Sequence, residues 1–227
     1  MSFLKSMVGK KVVMAVSGLM MVFFVIAHLL GNTSVFAGPN GINAYAAKLH
    51  ELAALVWIYR LVMVVLFSLH VYYGIQLTLE NSRARPMAYA TGKSLSATFS
   101  GKSMIWTGLI IGAFLIYHLL QFTFQVTNSG IAAMRNFDFL GRPDVFHMVV
   151  FSFQKALVSL TYIVALGALG FHLTHGIQSL FQTLGLNNET TFPAVVKSGK
   201  LAALIIFLGY IAIPVTIFIG IVRLSLQ

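Results

Sequence analysis

Five stretches of this sequence, Lys11–Gly31, Leu52–Glu80, Ser103–Val126, Phe146–Leu184 and Leu201–Val222, are mainly apolar over lengths that reach or exceed the roughly 20 residues needed to cross a bilayer as a helix. Hydrocarbon offers backbone amides no water, so runs of this kind satisfy their own hydrogen bonds as helices. The predicted fold class is therefore an all-α integral membrane protein, with five transmembrane helices and a single domain over residues 1–227. The fourth run is longer than one crossing and is expected to tilt or to project beyond the membrane. Turn-forming clusters separate the runs: "GPNGIN" (Gly38 to Asn43), "RARP" (Arg83 to Pro86), "GRPD" (Gly141 to Asp144) and "GLNNETTFP" (Gly185 to Pro193). Composition agrees, since 58% of the 227 residues are hydrophobic and only 9% charged, against about 25% charged in soluble domains. Lysines precede the first run without a small-residue cleavage pattern, so the expectation is a retained first helix and not a signal peptide.

Lys and Arg together number 15 against 5 Asp and Glu. So little soluble surface remains that this excess reads as membrane orientation charge, and no nucleic-acid partner is expected. With five spans, Lys5, Lys10, Lys11, Arg83, Arg85, Lys93, Lys102, Lys197 and Lys200 fall on one side. Lys48, Arg60, Arg135, Arg142, Lys155 and Arg223 fall on the other, interleaved with Glu51, Asp138 and Asp144. The first group is expected to face the cytoplasm, with the N-terminus. Cysteine is absent, which excludes disulfides, thiolate metal sites, cysteine-held iron–sulfur clusters and thioether-attached haem in this chain.

Within these runs stand His28, His70, His118 and His172, one in each of the first four. An ionisable side chain inside a membrane span is a functional candidate. At 1.5 Å of rise per residue, His28 and His118 fall toward the outer ends of helices running outward. His70 and His172 each precede a polar marker, Glu80 and Gln182, by ten residues on helices running inward. Topology alone thus sorts the four into an outer and an inner pair from facing helices. With no Cys and no nearby carboxylate, zinc and di-iron sites fit poorly. Axial ligation of two haem irons by neutral imidazoles fits an apolar interior and points to electron transfer. A proton or ion relay and four unrelated core histidines are the alternatives. Gly31, Gly74 and Gly176 lie one turn from three of these histidines, where a missing side chain would admit a flat macrocycle or merely close helix packing.

Other residues enter as lesser candidates. His175, three residues after His172, is a second possible ligand or a neighbour of the cofactor edge. Arg60 sits inside the second run, either to meet a propionate of the outer haem or to snorkel to the interface. Trp57, Tyr59 and Trp106 read first as interfacial belt residues and second as quinone neighbours. Ser17, Glu51 and His50 are further candidate quinone or propionate contacts, while His50 and His147 otherwise read as solvated boundary histidines.

The phrases "GKKVVMAVSGLMMVFFVIAHLLGN", "INAYA", "HVYYGIQLTLENSRARPMAY", "SGKSMIWTGLIIGAFLIYHLLQF" and "GFHLTHGIQSLFQTLG" together resemble the cytochrome b membrane-anchor subunit of succinate:quinone oxidoreductases and quinol:fumarate reductases, of the single-chain, five-helix, two-haem type. The resemblance runs over nearly the whole chain. It implies that the first four helices form a bundle holding two haem b groups, with the fifth packed outside. It assigns His28 and His118 to the outer haem iron and His70 and His172 to the inner one, and it favours His172 over His175. It also implies a flavoprotein subunit and an iron–sulfur subunit on the cytoplasmic face of a bacterial inner membrane. Quinone, menaquinone in this subfamily, is expected as substrate near the outer haem, and the whole complex could assemble further. "ENSRARP" is an expected docking loop for the soluble subunits. Some fumarate-reducing relatives carry a glutamate two residues before the fourth-helix histidine; Gly170 stands there in this chain, so a proton route of that type is not expected. The rival readings are a cytochrome b subunit of a hydrogenase or formate dehydrogenase and a histidine-relay transporter.

Overall fold

A computed structural model describes residues 3, 6–83 and 99–224, with residues 99–102 described by backbone alone. The charges Lys5, Arg85 and Lys93, and the "RARP" breaker beyond Arg83, lie outside the described residues. The described chain is all helical, and five of its helices are long and apolar enough to cross a membrane. Helices α1 (Met7–Asn32), α3 (Ala53–Arg83), α4 (Phe99–His118), α6 (Ala156–Thr183) and α7 (Phe192–Phe218) carry those spans; the shorter α2 (Gly38–Glu51) and α5 (Val145–Phe153) lie between them. The end of the bundle that holds Lys10 and Glu80 is termed inner below and the opposite end outer, with no side of the membrane implied.

Two segments differ from the sequence expectation, each for a local reason. The stretch "GPNGIN" does not form a loop but opens α2: Gly38 turns the chain at φ 74° and Pro39 occupies the first turn, where its missing N–H costs nothing. The long fourth run is not one tilted helix. It breaks at Gln154–Lys155, where Lys155 adopts an extended conformation (φ −81°, ψ 116°) and Ser159 Oγ donates to the Phe153 carbonyl left free at the end of α5. The resulting α5 tucks under the outer end of the bundle. There Phe146, Val149, Val150 and Phe153 bury themselves with Val35, Ile42, Tyr162, Ile213 and Ile217.

The bundle is two closely packed helix pairs, α1 with α3 and α4 with α6, with α7 lying along α6. Lys10 of α1 and Glu80 of α3 form an ion pair at the inner end. α7 approaches closely through Gly209, whose absent Cβ makes room for the Leu29 side chain, and Gly199, which faces Ile177. Its buried residues Ala203 and Ile206 pack with Leu173. By contrast α3 buries only Leu77, so most of its surface is left to lipid and to the space between the two helix pairs.

The outer end is closed by a polar clamp. Asn43 of α2 is fully buried; its Nδ2 donates to Asp138 Oδ2 and Asp144 Oδ1, both at 3.2 Å, and its Oδ1 accepts from the Phe146 amide at 2.8 Å. Arg142 completes the clamp, with Nε on Asp138 Oδ2 at 2.8 Å and Nη2 on Asn40 Oδ1 at 2.8 Å. Burial works to raise the Asp138 carboxyl, but hydrogen bonds from Arg142, Asn43 and the Leu140 amide outweigh it and hold the group down at about 2. Asn43→Ala is expected to cost about 1–3 kcal/mol by leaving the Phe146 amide unpaired and taking one donor from each of Asp138 and Asp144, measurable as a lower melting temperature in detergent. Because the folded pKa of Asp138 lies below its unfolded value, the stabilisation is complete above about pH 4 and is lost as pH falls toward 2. The melting-temperature gap between wild type and Asp138→Asn, open at neutral pH, should therefore close over that interval.

Candidate functional site

One histidine from each of the four helices meets a histidine of the opposite helix pair. His28 on α1 meets His118 on α4 with ring centroids 5.8 Å apart and planes at 89°. His70 on α3 meets His172 on α6 at 6.3 Å and 62°. A metal–imidazole bond of about 2 Å, with about 1.1 Å from ring nitrogen to centroid, sets two imidazoles on opposite sides of one metal roughly 6 Å apart. Edge-to-face ring packing alone spans the same range, so the decision rests on which ring nitrogen each histidine keeps free.

Three of the four are held through Nδ1. The Met14 carbonyl lies 3.1 Å from His70 Nδ1; a carbonyl only accepts, so Nδ1 carries the proton and Nε2 is left with its lone pair. Ser17 Oγ stands 3.4 Å from the same nitrogen and donates its own hydrogen to the Val13 or Met14 carbonyl, which turns an oxygen lone pair to the ring. His172 repeats the arrangement: Thr107 Oγ1 is 3.1 Å from Nδ1 and donates back to the Ser103 or Met104 carbonyl. At His118 the acceptor is Tyr162, whose hydroxyl lies 3.1 Å from Nδ1 and donates onward to Gln121 Oε1 at 2.9 Å. Nδ1 bound to a local acceptor with Nε2 free is the form in which proteins present imidazole to a metal. His28 is fixed differently. Phe24, one turn earlier, stacks on it at 5.3 Å, and Tyr210 of α7 lies 6.3 Å away, anchored by its hydroxyl to the Val25 carbonyl at 2.7 Å.

The donor set can be tested against a haem. All four rings are half-buried, as groups facing a crevice are. Two imidazoles per site suit a metal that brings four equatorial ligands of its own. Gly74 and Gly176, a turn inward of the inner pair, look onto open space, the nearest atom to a Cβ at Gly74 being Met14 Sδ at 3.9 Å. Gly31 does not share this role: its place is filled by the Tyr45 ring of α2, which is ordinary close packing. The residues present fit two haem groups, which His28 with His118 and His70 with His172 would hold.

The lesser candidates stand farther out. It is His172, not His175, whose ring meets His70, while His175 Nδ1 is buried without a hydrogen-bond partner. Arg60 lies on the exposed side of α3 with its guanidinium 5.0 Å from the centre of the Trp57 ring. His50 and Glu51 are exposed on α2, with His50 Nδ1 against the Ala46 carbonyl at 2.8 Å. His147 rests against Phe151 on α5, Trp106 is exposed, and Gly170 faces Phe207 on α7. Sequence reasoning singles out Ser17 but passes over Thr107, Tyr162 and Gln121. The signal for them is a polar side chain inside an apolar span, which must find a partner there. α4 also ends in a π-turn at Leu119–Thr123, directly after His118, which brings Gln121 inward to Tyr162.

Comparison of the chain with protein-family models, with curated proteins and with solved structures finds no match. What the site can do is therefore argued from its geometry. Tyr162→Phe removes the oxygen that joins His118 to Gln121 and leaves two buried polar atoms unpaired. A loss of about 1–3 kcal/mol in stability is expected, read by thermal unfolding, with Gln121→Leu in the same background recovering part of it.

Proposed function

We propose that this chain is a di-haem cytochrome b that anchors a succinate:quinone oxidoreductase or quinol:fumarate reductase in a bacterial cytoplasmic membrane. The single observation that carries the reading is the meeting of two imidazole pairs from facing helices, at 5.8 and 6.3 Å between ring centroids. Haem b, when bound, supplies one-electron redox chemistry. The chain's own work is to hold. His28 and His118 would hold one haem at the outer level, and His70 and His172 the other at the inner level. Met14, Ser17, Thr107 and Tyr162 keep the Nδ1 protons engaged, so that Nε2 stays free and oriented.

The remaining parts of the reading follow from the resemblance and from charge. A flavoprotein subunit and an iron–sulfur subunit dock on the cytoplasmic face, the side given by the Lys- and Arg-rich loops and the N-terminus. Quinone, menaquinone by resemblance, reacts near the outer pair. No residue of this chain acts on succinate or fumarate.

Redox-titrated visible spectra of the wild type and of four alanine variants test this. Two b-type signals are expected; His28→Ala and His118→Ala should each remove one, and His70→Ala and His172→Ala the other. A colourless wild-type preparation, or variants that remove signals in any other pairing, would overturn it.

A further inference from the structure

The inner and outer imidazoles of α1 and α3 have counterparts in α4 and α6 that extend well beyond the histidines. Residues 14–28 read MAVSGLMMVFFVIAH and residues 104–118 read MIWTGLIIGAFLIYH. Met, a hydroxyl residue followed by Gly-Leu, Phe, Ile and the final His recur at the same places. Matches of Leu or Ile between membrane helices mean little, but the polar pattern of Ser or Thr, Gly and His is not a requirement of spanning. The partner helices repeat as well: residues 70–80 read HVYYGIQLTLE and residues 172–182 read HLTHGIQSLFQ, sharing His, then Gly-Ile-Gln at identical spacing.

Space repeats what the sequence repeats. In the first copy, Ser17 Oγ and the Met14 carbonyl face His70 Nδ1 at 3.4 and 3.1 Å, and a Cβ on Gly18 would stand 3.2 Å from His70 Cε1. In the second, Thr107 Oγ1 faces His172 Nδ1 at 3.1 Å with the Met104 carbonyl beside it, and a Cβ on Gly108 would stand 3.5 Å from His172 Cε1. Each hydroxyl donates back into its own helix, to Val13 or Met14 and to Ser103 or Met104. Phe24 lies against His28 at 5.3 Å and Phe114 against His118 at 5.9 Å. Neither hydroxyl is exposed: Ser17 is 1% and Thr107 7% accessible.

We propose that residues 14–80 and 104–182 are two copies of one helix-pair unit, in which Ser17 and Thr107 are equivalent positioning residues that hold the inner imidazole of their own copy with Nε2 toward the other copy. The glycine beside each hydroxyl lets the ring lie against the helix; the hydroxyl oxygen and the nearby carbonyl fix the proton on Nδ1. As far as the imidazoles serve haem, the proposal rests on the functional reading above. An acceptor at Nδ1–H raises the basicity of the ligand and favours the oxidised metal, so losing it should raise the midpoint potential of the inner signal only.

The test is redox titration of the intact complex carrying Ser17→Ala or Thr107→Ala, beside the exchanges Ser17→Thr and Thr107→Ser. Each alanine is expected to change the redox equilibrium of the inner signal about two- to fivefold, roughly 20–40 mV at 59 mV per tenfold, by similar amounts in the two copies. The exchanges should stay near wild type and the outer signal should not move. An unmoved inner signal, a response in only one copy, or an equal shift in the outer signal would overturn the proposal. A second arm needs no haem. In the nitrogen spectrum of the ¹⁵N-histidine-labelled chain in lipid, His70 and His172 should be Nδ1–H tautomers, and each alanine should weaken that preference in its own copy alone. Should the wild type lack b-type signals, the functional reading falls while this arm still decides the proposal, and an Nε2–H preference at both rings in the wild type would end it.

Discussion

Three of the four facing imidazoles depend on one interaction, the engagement of the ring Nδ1–H by an oxygen inside an apolar bundle. Hydrocarbon has no water to accept that proton, and an unpaired buried donor costs on the order of 1–3 kcal/mol. The chain meets the demand with oxygens from the adjacent helix of the same pair: Met14 and Ser17 for His70, Thr107 for His172. His118 is served from α6, by Tyr162 backed by Gln121. Once Nδ1 is engaged, the ring can neither turn over nor lend its other nitrogen to the backbone. An imidazole of the opposite helix pair lies 5.8 Å away between ring centroids at the outer level and 6.3 Å away at the inner level. The bundle's architecture and its chemistry are joined at this point.

The inner and outer levels solve the problem with different materials. Inside, hydroxyl–glycine steps and carbonyls do the holding, and the rings lie directly against helix backbone. Outside, aromatic side chains dominate. Phe114, Phe122 and Tyr162 surround His118, and Phe24 and Tyr210 surround His28. Phe153 from α5 adds to the His118 side by packing edge-on to Tyr162 at 4.8 Å. The outer level is therefore tied to α5 and α7 and, through α5, to the clamp of Asn43, Asp138, Asp144 and Arg142. The inner level is tied mainly to the four helices that carry the histidines.

How much of this could be read from residues alone follows from what each signal measures. The five spans were legible because apolar length is a sufficient signal for crossing a bilayer. The meeting of His28 with His118 and of His70 with His172 followed from alternating direction and helical rise. Hydropathy could not see the break at Gln154–Lys155, since two polar residues within a long apolar run do not announce whether the helix bends or stops. It also misjudged Gly38–Asn43, because Gly and Pro mark a helix start as readily as a loop. At Gly31 the sequence left two readings open, because an absent side chain does not reveal what fills the space; here it is Tyr45, in ordinary close packing. Tyr162 and Gln121 escaped because their role depends on the π-turn after His118, a backbone event with no sequence period.

Matching depth is otherwise a demanding requirement. A haem clamped by two helices needs both ligands within a fraction of a helical turn of one another, and two haems need this twice. If the two helix pairs are copies running in the same sense, the requirement is met without adjustment, because equivalent positions in parallel copies arrive at equivalent depths about an axis between them. His28 and His118 stand ninety positions apart, as do Ser17 and Thr107 and also Gly18 and Gly108. The symmetry is then broken by what has no counterpart. α7 flanks α6 and reaches α1 at Leu29, and Tyr210 reaches His28, while Tyr162 serves only His118. Two levels that start as symmetric seams thus acquire different surroundings, and under the proposed function that difference would let two chemically identical haems hold different potentials.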